Sequence, residues 1–463
     1  MQTSHPAERC RNLADLFYSL PTETQHDVLS SLSSRAHLVS LSSASRHLHA
    51  ITPEYLHSHV SFGPLDTDDS LISYLAHCAP VHSRLCRSAR LGFSLGPMIS
   101  KAADLLRAEI FVHFLQKTRT SLRELEIDPA GTDLKNVGTL LRALPKMHFP
   151  NLKSLNLKIY DVEEDEAPTL AKFFVDLAAD TRNFPSLTSI SLEGYWEPSK
   201  SRIVERAFMR CLTKFTKLRH LRLAHLTISK KDLKKILACC SGGLDRLSLI
   251  EMASLPWQDC FEAIGSTSSS QTLKHLELKL NVEDIPERQF KTPILFPALR
   301  RLDLACLRYC PSESAEQMVP SIFESLCTAS KFSAPALSII NLDDTLSYKP
   351  ETSARLAVSL VRAKTDKKIF PNLQTVLVEG AASVTCPASA ASTLNQAGID
   401  LQRLPSSQIH GEEEHFCPTG GMSKLVYVAG RMAPDAIVDS RADDAFLDLL
   451  VARGGVNVYQ AVF

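Results

Sequence analysis

A short leucine pattern that recurs along the chain is the sequence feature that most restricts the folds open to it. The template LxxLxL, with Ile or Val sometimes replacing Leu, occurs nine times between residues 122 and 378. Successive copies begin 26 to 38 residues apart, and a degenerate further copy begins at Cys86. Such self-similarity favours an array of similar units over several unrelated domains. The nine copies begin at Leu122, Leu152, Leu187, Leu218, Leu244, Leu273, Leu299, Leu337 and Leu373.

Each copy is expected to form a short strand that is followed by a helix. Because side chains alternate along a strand, the fourth and sixth residues of the template share a buried face, and the third and fifth residues share the opposite face. A Phe-Pro dipeptide precedes four copies and should end the preceding helix. These dipeptides begin at Phe149, Phe184, Phe296 and Phe370, and Ala334 replaces the Phe before a fifth copy.

We therefore predict an α/β fold in which a curved leucine-rich repeat solenoid, or horseshoe, has its strands on the concave side. Helices are expected at residues 167–179, 202–215 and 232–240. The horseshoe should be irregular, because the ninth template position, which usually holds Asn or Cys, matches only at Asn281. A general α/β protein with leucine-rich strands is the alternative interpretation.

A short helical region precedes the repeats, between residues 16 and 61. Pro21 suits the first turn of a helix, Ser33 can cap a second helix, and Pro53 begins a third. A unit of this size buries little apolar surface by itself and should pack against something else. Apolar residues recur at helical spacing on the first two helices, at Val28, Leu29, Leu32, Leu38, Leu41 and Leu48.

This region resembles an F-box, the adaptor-binding motif of SCF-type ubiquitin ligases. The resemblance rests on Leu20-Pro21-x-Glu23 and on the apolar residues that follow it. The sequence departs from the motif in two places: Thr24 stands where F-boxes usually carry a large aliphatic residue, and Arg35 to His37 lie where an acidic residue often precedes the Leu. The resemblance implies that the adaptor-binding face is formed or supported by Leu20, Pro21, Val28, Leu29, Leu32, Leu38 and Leu41.

The joint pattern resembles the F-box proteins that carry leucine-rich repeats, in particular the irregular kind found in filamentous fungi. In that family the F-box binds an adaptor subunit, which holds a cullin, and the repeats capture the protein to be ubiquitinated. The resemblance implies a substrate-recognition subunit that catalyses nothing itself. The alternative is a repeat scaffold or inhibitor whose helical start only caps the solenoid, and burial of the face from Leu20 to Leu41 against the first repeat would favour it.

The end of the repeats sets the last domain boundary. The pattern fades near Thr393, and a solenoid needs a cover over its final apolar edge. We assign the remaining residues to that cover, which can include a disordered loop near residues 405–422. The 463 residues then divide into a flexible N-terminus (1–15), an F-box-like module (16–61), a linker with a degenerate repeat (62–120), the solenoid (121–394) and a C-terminal cap (395–463).

Composition and charge disfavour several classes of partner. The 51 basic residues balance the 51 acidic ones, whereas nucleic-acid binding depends on an excess of Lys and Arg. We expect no membrane association, because no apolar run approaches the roughly 18 residues of a span and residues 1–12 lack the apolar core of a signal peptide. The 12 Cys are scattered, which favours free thiols in a reducing compartment, the cytoplasm and/or the nucleus.

The sequence contains no motif that indicates catalysis or cofactor binding. It lacks GxGxxG, HExxH, GxSxG and the phosphate-binding loop pattern. His410, His415 and Cys417 lie close together in sequence, but their spacing fits no metal-ligand set and favours a solvated acidic loop. We therefore expect no catalytic residue, no metal, no cofactor and no enzymatic activity.

The residues between the buried strand positions form the predicted recognition surface. The middle strands present mainly basic side chains, and the outer strands present acidic ones. A mildly basic centre between acidic ends could select a protein partner with an acidic patch. An ordinary mixed polar surface is the alternative. The residues predicted to bind the unidentified protein substrate are Arg222, Arg246, His275 and Arg301.

Overall fold

A computed structural model gives the fold of the chain between Phe17 and Pro405, with gaps. The chain divides into two compact units. The described part of the first unit lies within residues 17–60 and 68–88, and that of the second within residues 61–63 and 89–405. The described residues are 17, 20–31, 35–63, 68–93, 101–129, 134–159, 165–196, 202–240, 242–252, 255–280, 290, 293–306, 322, 325–326, 331–342, 350–366, 368–380 and 388–405.

The described part of the first unit consists mainly of short helices. Pro21 directly precedes the first helix, and Pro53 is the first residue of the fourth, where a residue without an N–H group loses no helical hydrogen bond. A π-helical turn (Tyr74–Cys78) and a 3-10 turn (Ser83–Leu85) flank the last helix. The helices are α1 (Thr22–Ser31), α2 (Arg35–Ala44), α3 (Arg46–Ile51), α4 (Pro53–Leu56), α5 (Asp68–Ser73) and α6 (Ala79–His82).

The predicted second helix is interrupted at Ser45. This residue has an extended backbone (φ −160°, ψ 160°), and its hydroxyl accepts a hydrogen bond from the Leu48 N–H at 3.2 Å. That is the geometry of a residue that caps the start of a new helix. The prediction that one helix carries Leu38, Leu41 and Leu48 is therefore corrected, because α2 and α3 are separate helices.

One large sheet dominates the rest of the chain. Each of the nine LxxLxL copies contains a strand, and so does the degenerate copy at Cys86. Twelve strands follow one another in the order β1 to β8, β10, β12, β13 and β14, while β9 and β11 form a separate pair. The strands are β1 (His59–Phe62), β2 (Ser88–Gly92), β3 (Glu124–Asp128), β4 (Ser154–Lys158), β5 (Ser189–Trp196), β6 (His220–Leu226), β7 (Arg246–Ile250), β8 (His275–Leu280), β9 (Ile294–Leu295), β10 (Arg301–Cys306), β11 (Phe332–Ser333), β12 (Ile339–Leu342), β13 (Thr375–Gly380) and β14 (Asp400–Pro405).

Equivalent template positions lie beside one another across this sheet. Leu223, for example, lies between Leu192 and Leu249. Every described pair from β3 to β14 is parallel. Parallel strands need crossover connections, which are right-handed, and each crossover here steps to the same side, so the connecting helices fall on one face of the sheet. We call the opposite face, formed by the third and fifth template residues, the polar face.

Helices connect most of the strands of the second unit. The predicted helices at 167–179, 202–215 and 232–240 are confirmed within two residues at each end. None of the helices in the described ranges is both long and apolar enough to cross a membrane. The helices are α7 (Lys101–Thr118), α8 (Leu134–Ala143), α9 (Ala167–Ala179), α10 (Arg202–Lys214), α11 (Lys230–Cys239), α12 (Trp257–Gly265), α13 (Ser269–Thr272), α14 (Pro350–Thr365) and α15 (Ala388–Gln396).

The phenylalanines of the Phe-Pro dipeptides are core residues. All four are at most 2% exposed, and the rings of Phe149 and Phe184 stack with centroids 5.6 Å apart. The fifth dipeptide has Ala334 in place of Phe, and Phe332, two residues earlier, supplies the missing ring. Its centroid lies 5.9 Å from that of Phe296 and 6.0 Å from that of Phe370. The aromatic packing is thus continuous through the repeat in which the sequence pattern breaks.

The sheet continues beyond the last LxxLxL copy. β14 pairs in parallel with β13, with Thr375 beside Asp400. Gly398, at a φ of +65°, provides the left-handed turn between α15 and β14. Residues 395–405, with the end of α15 and all of β14, fall inside the segment predicted as a C-terminal cap. The remainder of that cap, 406–463, lies outside the described residues, as does the flexible N-terminus predicted for residues 1–15.

Candidate protein-binding surfaces

The predicted adaptor-binding residues fall into two groups in the first unit. Leu29 and Leu38 are buried and form a core with Leu56, against which Leu41 packs. Leu20 is half-buried, Pro21 is exposed and Val28 is 38% exposed. Leu32 lies outside the described residues. Leu29 and Leu38 therefore stabilise the helical unit itself, whereas Pro21 and Val28 are exposed and Leu20, like Leu41, is partly accessible.

Gln25 fixes the segment that leads into α1. Its N–H donates to the Pro21 carbonyl at 3.0 Å, and its side-chain amide donates to the Leu20 carbonyl at 2.9 Å. The side-chain oxygen of Gln25, Oε1, lies 2.8 Å from Nε2 of His47 on α3. The role of Gln25 was not predicted from the sequence, because its side-chain partners Leu20 and His47 are brought together only by the packing of the helices. The accessible Leu20-Pro21 pair is thus held in one orientation by a buried side chain.

A hydrogen bond also joins the first and fourth helices of this unit. The ring of His26 on α1 is hydrogen-bonded through Nδ1 to the hydroxyl of Tyr55 on α4. Burial and the nearby carboxylates of Glu54 and Asp27 raise the pKa of Tyr55. The phenol therefore stays protonated at neutral pH and keeps a polar hydrogen for this contact. The unit combines a small apolar core with polar links between its helices.

Three of the four predicted substrate-binding residues lie in one line across the polar face. Arg246, His275 and Arg301 occupy the third template position of β7, β8 and β10 and are direct neighbours in the strand register. His220 of β6 occupies the same position and lies beside Arg246. We call these four residues, His220, Arg246, His275 and Arg301, the basic row. Arg222, the remaining predicted residue, lies at the fifth template position, outside the basic row.

Acidic residues on neighbouring strands pair with most of these cations. Arg222 Nη1 lies 3.4 Å from a carboxylate oxygen of Glu193, and Arg246 Nη2 lies 3.4 Å from one of Glu277. Arg301 and His275 share Asp303, with N to O distances of 2.8 and 2.6 Å. The polar face is therefore crossed by ion pairs, and its basic residues are held in place by acidic partners.

The pKa of Asp303 reflects this shared position. Burial alone would raise it, but hydrogen bonds from His275 and Arg301, together with their positive charges, outweigh burial and hold the pKa of Asp303 below its usual value. Asp303 is therefore ionised at neutral pH. The carboxylate fixes the side chains of two members of the basic row.

Replacing Asp303 by Asn should lower the free energy of unfolding at pH 7 by about 1–3 kcal/mol, because a buried charged hydrogen-bonding partner is lost. The folded-state pKa is depressed, so the stabilisation by Asp303 is complete above the ordinary Asp value of about 4 and is lost as pH falls through the lowered pKa. Urea unfolding at pH 7 and pH 3 measures the effect. Asp176→Asn, which breaks only a surface ion pair with Lys172, is the control and should cost less than about 0.5 kcal/mol. An equal difference between wild type and Asp303→Asn at both pH values would contradict this prediction.

Two acidic residues on the outer strand β3, Glu126 and Asp128, are also paired. Glu126 accepts a hydrogen bond from the side-chain amide of Asn156 at 3.0 Å and lies 3.3 Å from the Lys158 ammonium. Arg90 donates to Asp128 at 3.1 Å. Glu126 and Asp128 are thus paired with basic neighbours in the folded chain, as Glu277 and Asp303 are paired with members of the basic row.

Four cysteines within the described residues are buried and poorly reactive. Cys78, Cys211, Cys240 and Cys260 carry free, buried thiols, and burial raises their pKa values to about 11 for Cys78 and about 12 for the others. Such thiols hardly ionise at neutral pH and are poor nucleophiles. Within the described ranges no group of three His, Cys, Asp or Glu residues could hold a metal ion. His410, His415 and Cys417 lie outside those ranges.

Comparison with known proteins does not assign this chain to a family. No protein-family model matches the sequence. No curated protein matches it at significant similarity either. The two surfaces described above, the accessible Leu20-Pro21 segment and the polar face of the sheet, are therefore the basis for a functional proposal.

Proposed function

We propose that the chain is the substrate-recognition subunit of an SCF-type ubiquitin ligase that acts in the cytoplasm or the nucleus. Its first unit would be an F-box that binds the adaptor subunit and, through it, a cullin. Its second unit would be an irregular leucine-rich repeat solenoid that captures a protein substrate. The chain would hold substrate lysines near a separately bound, ubiquitin-charged enzyme and would raise their effective concentration there.

The observation that carries the proposal is the accessibility of Leu20, Pro21 and Val28 beside an independently formed core. A protein-binding site of this kind needs apolar side chains that are exposed before binding and that are held in place by a rigid core, here called the base. Leu29 and Leu38 supply that base, and Gln25 orients the Leu20-Pro21 segment. The sequence resemblance to an F-box coincides with these three residues.

The proposal predicts that the double change Leu20→Ala with Pro21→Ala weakens adaptor binding at least about thirtyfold. Truncating one interface anchor typically costs about 2 kcal/mol or more, and each 1.4 kcal/mol corresponds to about a tenfold change in affinity. The dissociation constant of the full chain and a purified SCF adaptor subunit is measured by calorimetry, and folding is checked by circular dichroism. A folded wild type that does not bind the adaptor would overturn the ligase role.

A matched pair of variants tests whether the adaptor binds the predicted face or any exposed apolar residue of the unit. Val28 and Val81 belong to the same unit and are 38% and 40% exposed, but Val81 lies on α6, outside the predicted face. Val28→Lys should weaken adaptor binding by about tenfold or more, because a charge is buried at the interface. Val81→Lys should leave the affinity within a factor of two. Equal effects of the two changes would contradict the assigned face.

A second candidate is a repeat scaffold or inhibitor in which the first unit is only a cap. One observation favours it: Leu29, Leu38 and Leu41, three of the residues assigned to adaptor binding, already pack within the unit itself. A scaffold would bind partners through the polar face and would not bind the adaptor. The calorimetric experiment therefore distinguishes the two candidates.

A further inference from the structure

The strand register brings four basic side chains into one line on the polar face. His220, Arg246, His275 and Arg301 are consecutive neighbours across β6, β7, β8 and β10. Adjacent strands lie about 4.8 Å apart, so three steps make a line about 14 Å long. Ser189 adjoins one end of the row and Ile339 the other, so the flanking positions are uncharged.

The carboxylates near this row do not lie in it. Glu277 and Asp303 occupy the fifth template position, two residues further along the strands, and approach the row from one side only. Asp303 pairs with both His275 and Arg301, and Arg246 contacts Glu277 at a single distance of 3.4 Å. The Arg246 side chain is 47% exposed. The exposed Arg246 guanidinium therefore presents positive charge to solvent on the side away from these two acidic residues. Asp245, an acidic neighbour of His220, is paired with Lys274 at 3.1 Å.

The charge of His220 depends on its neighbours in the basic row. Burial and the positive charge of Arg246 lower the pKa of His220, and His275 adds to the effect, while Asp245 opposes it. His220 is therefore mostly uncharged at neutral pH, and a carboxylate bound across the row would favour its protonated form. A ligand that supplies several carboxylates along one line would contact more side chains of the basic row than a single small anion would.

We propose that the basic row binds an extended acidic segment of a protein substrate, with carboxylates at alternate positions. This inference rests on the proposed role of the second unit in substrate capture. In an extended chain, residues i, i+2 and i+4 point the same way and are about 6.7 Å apart, so three of them cover about 13 Å. That length matches the row of about 14 Å. The segment would lie across the strands, with its acidic side chains toward His220, Arg246, His275 and Arg301.

The test uses fluorescence anisotropy with the full chain and three labelled heptapeptides of sequence GESESEG, GQSQSQG and GSEEESG. The first carries alternating glutamates, the second has glutamine in their place, and the third has the same composition as the first with its glutamates together. The alternating peptide should bind, at least tenfold more tightly than the glutamine peptide and at least threefold more tightly than the grouped one. Absence of binding, or equal affinity of the two glutamate peptides, would overturn the proposal.

Variants of equal charge locate the site. Arg246→Gln should weaken binding of the alternating peptide roughly five- to tenfold, because the most exposed arginine of the row is neutralised. Lys172→Gln on α9 removes the same charge from a side chain that is 63% exposed and should change the affinity less than twofold. Equal losses in the two variants would show non-specific attraction and overturn the assignment.

Adaptor binding is measured on the same preparations, so the ligase role and the acidic-segment site are tested independently. A wild type that binds the adaptor but not the alternating peptide overturns only the acidic-segment inference. A wild type that binds the peptide through Arg246 but not the adaptor supports the basic row as a binding site and overturns the ligase role.

Discussion

Replacement of Leu223 by Asp is expected to unfold the second unit. Leu223 lies on β6, is fully buried and is flanked by Leu192 and Leu249 in the neighbouring strands. Burying a carboxylate without a partner costs several kcal/mol, and the total stability of a protein is only about 5–15 kcal/mol. The variant should lose its cooperative thermal transition or show it at a much lower temperature by circular dichroism.

His220→Asp is the matched control for this change. It introduces the same carboxylate into the same strand, but at an exposed third template position. Its transition should stay within a few degrees of that of the wild type, because surface changes are usually worth less than about 0.5 kcal/mol. If Leu223→Asp melted at the wild-type temperature, the assignment of buried and exposed template positions would be wrong.

Gly194→Ala is expected to destabilise the chain by about 3 kcal/mol or more. A Cβ atom added at this residue of β5 would lie 1.5 Å from the carbonyl oxygen of Ile159 and 2.5 Å from its carbonyl carbon. Both atoms belong to the backbone, and the Ile159 N–H is hydrogen-bonded to the Glu193 carbonyl at 2.6 Å, so the neighbouring segment cannot move without breaking a contact. Overpacking against backbone of this kind ranks among the larger single-residue effects.

Gly138→Ala provides the comparison. Gly138 lies within α8, and the nearest atom to an added Cβ is the end of the flexible Arg142 side chain, at 3.0 Å. Because Ala favours the helix over Gly by up to about 1 kcal/mol, this change should be neutral or slightly stabilising. Urea unfolding of both variants measures the difference. Similar stabilities for the two would contradict the close approach of Ile159 to Gly194.

The strands were predictable from sequence because their signal is periodic and local. Each LxxLxL copy places two apolar residues on one side of an extended segment, and burial of that side selects the strand. Helices such as Ala167–Ala179 were predictable for the same reason, since their apolar spacing and the proline in the first turn act over a few residues. Local patterns of this kind do not depend on the remainder of the chain.

Features that depend on tertiary contacts were not predictable. The break between α2 and α3 depends on whether one serine hydroxyl bonds to the backbone or to water, which the pattern of leucines does not reveal. Phe332 replaces the missing ring at Ala334 only because β11 places it between Phe296 and Phe370. The strand β14 carries no full copy of the template and was assigned to the cap.

The candidate surfaces were predictable in part. Arg246, His275 and Arg301 were identified from their outward positions, but their alignment with His220 follows from the strand register. The acidic partners Glu277 and Asp303 could not be matched to them until neighbouring strands were known. In the helical unit, the sequence showed which residues are apolar, but it could not separate buried Leu29 and Leu38 from accessible Val28, because all share helical spacing.

The pairing of equivalent positions across the sheet has a consequence for how such a chain can change over time. Successive copies begin 26 to 38 residues apart. The third template residue of each copy nevertheless lies beside the third template residue of the next copy. Insertions and deletions are absorbed in the connections and leave the spacing between neighbouring polar side chains unchanged. The polar face can therefore acquire a new ligand preference through single substitutions, while lengthening or shortening of the connecting segments proceeds independently.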